Sequence, residues 1–374
     1  MLRIALVHSF YASGQPSGEN EAVRDQARAL RAAGHEAVLV SASTDELQGS
    51  RLYPLRAAAR VATGHGSSPL ARLHELAPDV VHVHNLFPNF GRAWVRRWRG
   101  PLVATLHNYR PLCAAATLYR EGAACTSCPD GDRWAGLRQG CYRGSRAATA
   151  PLAWAGRAGA AGDPLLARAD RLVMLSPLSR DTYVRAGVPR GRTALVPNFA
   201  ELPRPAPAAA GDRWVFAGRL TREKGIAELL RIWPSDVGLD VVGDGELAAE
   251  CRAVAPPSVA FHGSLDRVEL RARLASWRGL VFPSRWREAA PLVYVEALAA
   301  GLPVLAFDGS SVADAVRAGG TGRVVDWDQP LGPVLKEAAE SFPGLRPHCR
   351  AVYEAEFTRE IWARRMTALY ESVL

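Results

Sequence analysis

Short apolar runs alternate along the chain with segments of helical period. Arg3–His8, Glu36–Ser41, Val80–His84, Leu102–His107 and Arg171–Ser176 are rich in Val, Leu and Ile, and a helical pattern from about Glu19 to Ala33, closed by Gly34, separates the first two. Runs of that length with little polar alternation predict strands buried on both faces. Strands separated by helices are parallel, because a parallel neighbour needs a crossover connection. The pattern predicts a doubly wound, Rossmann-like α/β domain over residues 1–198.

The pattern then restarts. After Leu195–Pro197 comes the Pro- and Ala-rich stretch Glu201–Gly211, which reads as a linker, and new apolar runs follow at Trp214–Gly218, Leu239–Gly243, Val259–His262, Gly279–Pro283 and Pro303–Phe307. A second Rossmann-like domain is predicted over 199–355. The last segment, 356–374, reads as an amphipathic helix with Ile361, Trp362, Met366, Leu369 and Tyr370 available to pack back toward the first domain. With 374 residues the chain is too long for one ordinary core and suits two such domains facing across a cleft.

Composition changes this picture little. The 46 basic against 37 acidic residues give a net charge of +9, which suits an anionic partner without naming it. Arginine is abundant everywhere, and no nucleic-acid-binding motif accompanies it. No stretch approaches the roughly 18 uninterrupted apolar residues of a membrane span, and the N-terminus lacks an export signal, so a cytoplasmic protein is expected. Phe90–Arg99 mixes aromatics and arginines on an expected helix. It suits peripheral contact with the inner face of an acidic membrane, but Trp94 and Trp98 at four-residue spacing fit inward packing better.

The chemistry concentrates in the second half. In Glu288-Ala-Ala-Pro291-Leu-Val-Tyr-Val-Glu296, proline suits a helix start, placing Glu288 in the preceding loop and Glu296 on the helix. The backbone N–H groups of Leu292 and Val293 then form an anion site. After the strand that opens the second domain, Gly218-Arg219-Leu-Thr-Arg-Glu-Lys224-Gly225 combines a glycine, which lets phosphate approach the backbone, with two cations suited to a diphosphate.

These motifs, with Gly18-Glu19-Asn20, Asp79-Val-Val-His-Val-His-Asn85, Thr105-Leu-His107-Asn108, Val196-Pro-Asn198 and Val242-Gly243-Asp244-Gly245, resemble the family 4 retaining glycosyltransferases of GT-B fold over nearly the whole chain. The resemblance implies a nucleotide diphosphate sugar donor. Arg219 and Lys224 would bind its diphosphate with help from Leu292 and Val293, Glu296 its ribose, and Glu288 the hydroxyls of the transferred sugar. Gly243 is counted among the donor-binding positions. Gly18 would approach the diphosphate from the first domain, although Ser17 stands where many relatives have a further glycine. His107 would sit near the reacting sugar. The departing phosphate oxygen would take the acceptor proton, so no catalytic metal or other cofactor is required. Glycan, lipid-linked and small-molecule acceptors stay open, as do the alternatives of a non-hydrolysing sugar-nucleotide epimerase and a nucleotide-sugar-binding protein without turnover.

A dinucleotide-dependent oxidoreductase is disfavoured, because position 248 is alanine and no full Gly-x-Gly-x-x-Gly follows either opening strand. His82 reads as a structural strand residue. Within an insertion at 110–145, Cys113, Cys125-Thr-Ser-Cys128 and Cys141 have the spacing of a four-thiolate structural zinc site, the alternatives being reduced thiols or a disulfide. Cys251 and Cys349 are isolated and read as structural.

Overall fold

The computed structural model describes residues 1–14, 17–202 and 211–374. It divides into two compact units, one formed by Met1–Arg120, Cys125–Pro197 and Trp362–Leu374, the other by Glu121–Ala124 and Asn198–Ile361. Most of the linker read at Glu201–Gly211 lies outside the described residues, since 203–210 are not among them.

The strands are β1 Arg3–Phe10, β2 Glu36–Ser43, β3 Val80–Asn85, β4 Leu102–Leu106, β5 Tyr119–Arg120, β6 Ala123–Ala124, β7 Arg171–Met174 and β8 Thr193–Leu195, then β9 Trp214–Ala217, β10 Leu239–Val242, β11 Val259–Gly263, β12 Leu280–Phe282, β13 Val304–Phe307 and β14 Gly322–Val325. The first unit carries a six-stranded sheet in the order β2-β1-β3-β4-β7-β8 and the second one in the order β11-β10-β9-β12-β13-β14. Every pairing in both sheets is parallel. The second order is that of the dinucleotide-binding Rossmann sheet. Burial explains the apolar runs: β4 is buried along its whole length, as are β10, β12 and β13.

In such open sheets ligands bind beyond the carboxyl ends of the strands where the order reverses. That point lies between β1 and β3 in the first unit and between β9 and β12 in the second. Both fall on segments the sequence singled out: the loop into α1 (Gly18–Ala32) with His84 in one unit, and Gly218–Lys224 with Pro283–Glu288 in the other.

Two expectations need correction. Phe90–Arg99 is not an α-helix but contains a 3₁₀ turn, Ala93–Arg96, with Trp94 and Trp98 3% and 8% exposed in the core. No aromatic surface for membrane contact remains there. The helix expected over 356–374 is Arg359–Glu371, and before it runs a helix, Leu331–Glu356, longer than anything read from the sequence. Pro291 caps its helix from outside, and the helix runs Leu292–Ala299. From Trp362 on, the last helix belongs to the first unit, where the Tyr370 hydroxyl lies 2.7 Å from His82 Nδ1. No helix of the described residues is long and apolar enough to cross a membrane.

Candidate functional site

In the second unit the site is assembled by two close backbone approaches. Gly243, directly after β10, has φ +137°, and a Cβ there would lie 1.9 Å from the carbonyl oxygen of Gly218. Only glycine lets the two strand ends meet, with Gly218 N–H donating to Val242 O at 3.0 Å. Gly225, at φ +68°, likewise presses on the Pro283 carbonyl, where a Cβ would stand 2.1 Å away. That approach seats the Lys224 turn on the end of β12, and Arg285 N–H donates to Glu223 O at 2.9 Å across it.

Lys224 thereby reaches Glu288, its Nζ 2.6 Å from Oε1, and the Ser284 hydroxyl donates to the same oxygen at 2.8 Å. The pair is buried, with side chains 16% and 8% exposed, and the ammonium lies 5.9 Å from the ring centroids of Phe282 and Trp286. Arg219 is different: its side chain is 53% exposed and, among the described residues, holds only a 3.4 Å contact to Glu223. No side chain caps the helix Leu292–Ala299. The N–H groups of Leu292 and Val293 precede the first residue that a helical carbonyl serves, Tyr294, bonded to Pro291 O at 3.2 Å. The end of the sheet therefore presents two cations and an open helix N-terminus, a constellation suited to a diphosphate.

Glu296 is engaged in a way the sequence did not indicate. Its Oε1 accepts from Arg267 Nε and Arg271 Nε, each at 3.0 Å, and the side chain is 5% exposed. The two arginines stand one turn apart on the helix Arg267–Arg273. They fix the carboxylate rotamer, as a preorganised acceptor of hydroxyl donors requires.

In the first unit His8, His84 and His107 collect at the carboxyl ends of β1, β3 and β4, with His82 two residues back along β3. Ring centroids are 4.1 Å apart for His82 and His84 and 5.3 Å for His84 and His107. His84 Nδ1 lies 3.0 Å from His107 Nε2, so the two neutral rings adopt complementary tautomers. Burial, reinforced by the neighbouring imidazoles, holds His107 down at about 3 and His84 well below the usual range. Burial alone takes His82 to about 3, and its Nε2 meets the Thr105 hydroxyl at 2.8 Å. His8 falls to about 4 through burial although its Nε2 donates to Asn20 Oδ1 at 3.0 Å. All four are neutral at pH 7.

Gly18, the exposed first residue of α1, precedes Glu19. The Glu19 carboxylate accepts from Asn108 Nδ2 at 3.0 Å, while Oε1 is buried without a partner among the described residues. Burial pushes Glu19 up to about 7 against the opposing effects of Asn108 and Arg110. In the sequence it stood only as the middle of Gly18-Glu19-Asn20, with no role of its own. A carboxyl raised in the fold favours the protonated folded state, so its contribution is largest below the unfolded value near 4.5 and is lost as pH climbs through 7. Glu19→Gln is expected to match wild type near pH 4.5 and to exceed it above pH 7 by at most about 3 kcal/mol, read from urea midpoints across that range.

Of the residues the sequence proposed, the structure gathers Arg219, Lys224, Gly243, Glu288, Leu292 and Val293 at one end of the second sheet, with Glu296 further along the same helix. Gly18 and His107 lie in the first unit. Cys113, Cys125, Cys128 and Cys141 are free, half-buried thiols lining one cavity of that unit.

Two Rossmann-like units with a phosphate-suited strand end define the GT-B class of fold. The chain belongs to glycosyltransferase family 4, whose pattern matches residues 16–204, and residues 211–332 match the family "Glycosyl transferases group 1". Among solved structures it is similar to a sucrose-phosphate synthase from Thermosynechococcus elongatus (TM-score 0.72, 19% identity, 100% of this chain and 99% of that one). Anabaena HepE in complex with UDP-glucose gives TM-score 0.68 and 18% identity over 100% of both chains. WaaG, described as involved in lipopolysaccharide biosynthesis, gives 0.61 and 17% over 99% of both. Among curated proteins, an uncharacterized protein in the cps region of Klebsiella pneumoniae is 31% identical over 30% of this chain, and an exopolysaccharide phosphotransferase of Streptomyces coelicolor is 30% identical over 45% of it. The matched segments span 32% and 19% of those two relatives.

Proposed function

We propose that the chain is a glycosyltransferase that moves a sugar from a nucleotide diphosphate donor to an acceptor with retention of anomeric configuration. The observation that carries this reading is the Arg219 and Lys224 pair beside the uncapped helix Leu292–Ala299, at the reversal of strand order in the second sheet. A UDP-glucose complex of HepE, on the same fold, supports the donor class.

In this mechanism Arg219 forks onto one phosphate and Lys224 turns from Glu288 toward the other. The helix N–H groups complete the neutralisation of the leaving group. Glu288, once Lys224 moves, accepts from hydroxyls of the transferred sugar, and Glu296, held by its two arginines, accepts from the ribose. The His107 ring, being neutral, acts as a hydrogen-bonding wall for the reacting sugar and not as a cation. The departing phosphate oxygen takes the acceptor proton on the face it leaves. Positive charge from the chain itself suffices in this scheme, so turnover needs no divalent ion. The cps-region and exopolysaccharide-phosphotransferase names of its curated relatives favour a surface-glycan precursor as acceptor, elongated in the cytoplasm at the membrane's inner face.

The stereochemical and metal parts are tested together. Proton NMR of the first-formed product in excess chelator is expected to show the donor's own anomer at undiminished rate. An inverted product, or activity restored only by magnesium, overturns them.

A further inference from the structure

We propose that Cys113, Cys125, Cys128 and Cys141 bind one structural zinc ion. The four come from separate points of an insertion with little regular structure, yet all line a single cavity of about 110 Å³ in the first unit. Cys125 precedes and Cys128 lies within a turn in which Asp132 N–H donates to Ser127 O at 3.0 Å and Gly131 N–H to Cys128 O at 3.3 Å. Arg133 braces the turn from outside, donating to Cys128 O at 2.5 Å and Pro129 O at 3.3 Å. Cys113 follows Leu112, anchored in the core at 6% exposure, and Cys141 is fixed by its N–H bond to Gly136 O at 3.0 Å. Gly136 stands beside the pair, its missing Cβ 3.7 Å from Cys128 Sγ.

Two features call for such a staple. Apolar support for the insertion is slight, resting on Leu112, Ala116 and Leu118. The backbone is also held at positive φ in non-glycine residues, +68° at Ala116, +50° at Leu118 and +55° at Arg143, a cost that persists only where surrounding contacts enforce it. A tetrathiolate zinc centre carries two net negative charges, and Arg120 and Arg138 line the same cavity. Half-buried, undisulfided thiols in one concavity are the donor set zinc prefers.

Among the described residues no three His, Cys, Asp or Glu side chains stand in ligating geometry, so binding draws the thiols inward by side-chain rotation, with loss of their four protons. Tyr142, next to Cys141, lies under the Arg110 guanidinium at 5.5 Å, and Arg110 N–H donates to Asn108 Oδ1 at 2.9 Å. Zinc would thus hold the Asn108 side chain that binds Glu19.

The test uses the full chain purified without a histidine tag. Elemental analysis is expected to find close to one zinc per chain, released by about four equivalents of a mercurial, and X-ray absorption to find four sulfur neighbours at about 2.3 Å. Cys125→Ser should lose at least nine-tenths of the metal. Protein that emerges metal-free and takes up no zinc, a Cys125–Cys128 disulfide in the mass spectrum, or a nitrogen and oxygen coordination shell would overturn the proposal. The mercurial and absorption measurements on wild type decide the matter even if the variant fails to fold.

Discussion

Lys224→Ala is expected to weaken donor binding and lower turnover by at least about a hundredfold, because it removes one of two fixed cations from a leaving diphosphate. It should also destabilise the second unit. Lys224 and Glu288 form a buried pair at 2.6 Å, and removing one member leaves a carboxylate that is 8% exposed without its counter-charge, at a cost of about 3 kcal/mol. The double variant Lys224→Ala/Glu288→Gln should recover much of that stability and none of the activity. Arg219→Ala separates the two effects, since its side chain is 53% exposed and its charged contact to Glu223 is 3.4 Å long. Stability there should stay within about 0.5 kcal/mol while transfer falls tenfold or more. Calorimetric donor titration checks all three, and unchanged affinity in Lys224→Ala would remove this lysine from the site.

Acidification should unfold the first unit before the second. His8 titrates at about 4 and His82 and His107 at about 3 in the folded chain, all below the unfolded value near 6.5. For a histidine lowered by folding, the unfolded chain binds protons first, so stability is present above 6.5 and is lost as pH falls toward 3. A shift of three units corresponds to roughly 4 kcal/mol, and two such residues approach the 5–15 kcal/mol that holds a typical domain together. The histidines of the second unit, His262 and His348, are exposed. Hydrogen exchange followed by mass spectrometry between pH 6.5 and 4 should show β1, β3 and β4 losing protection while β9, β10 and β12 keep theirs. Simultaneous loss, or a first unit intact at pH 4, would contradict the burial argument.

The periodicity of the chain was enough to place most strands within a few residues, because parallel strands covered on both faces read as unbroken apolar runs. Trp214–Gly218 was expected and Trp214–Ala217 is found. It failed where local punctuation and packing disagree. Pro343 and Pro347 argue against a helix, yet Leu331–Glu356 continues through both, its stripe of Leu335, Ala338, Phe342, Cys349 and Tyr353 buried in the second unit. The short edge strands β8 and β14 carry too few apolar residues to stand out. At the site, the cations and glutamates were legible because they follow strand ends at characteristic spacing. Their partners were not. Arg267 and Arg271 lie 29 and 25 positions from Glu296 and look like any arginine in an arginine-rich chain. The raised Glu19 carboxyl comes from burial that only the folded chain reveals, against the opposing bond from Asn108, 89 positions away.

The central claim, that the second unit binds and activates a nucleotide diphosphate sugar, is tested most directly by challenging purified protein in turn with uridine, guanosine, adenosine and thymidine diphosphate sugars. Thermal stabilisation and release of the nucleoside diphosphate are followed for wild type and for Arg219→Ala. At least one donor should raise the Tm of wild type and be slowly cleaved, with both effects sharply reduced in the variant. Absence of stabilisation and release with all four bases, or equal turnover in the variant, would contradict the account.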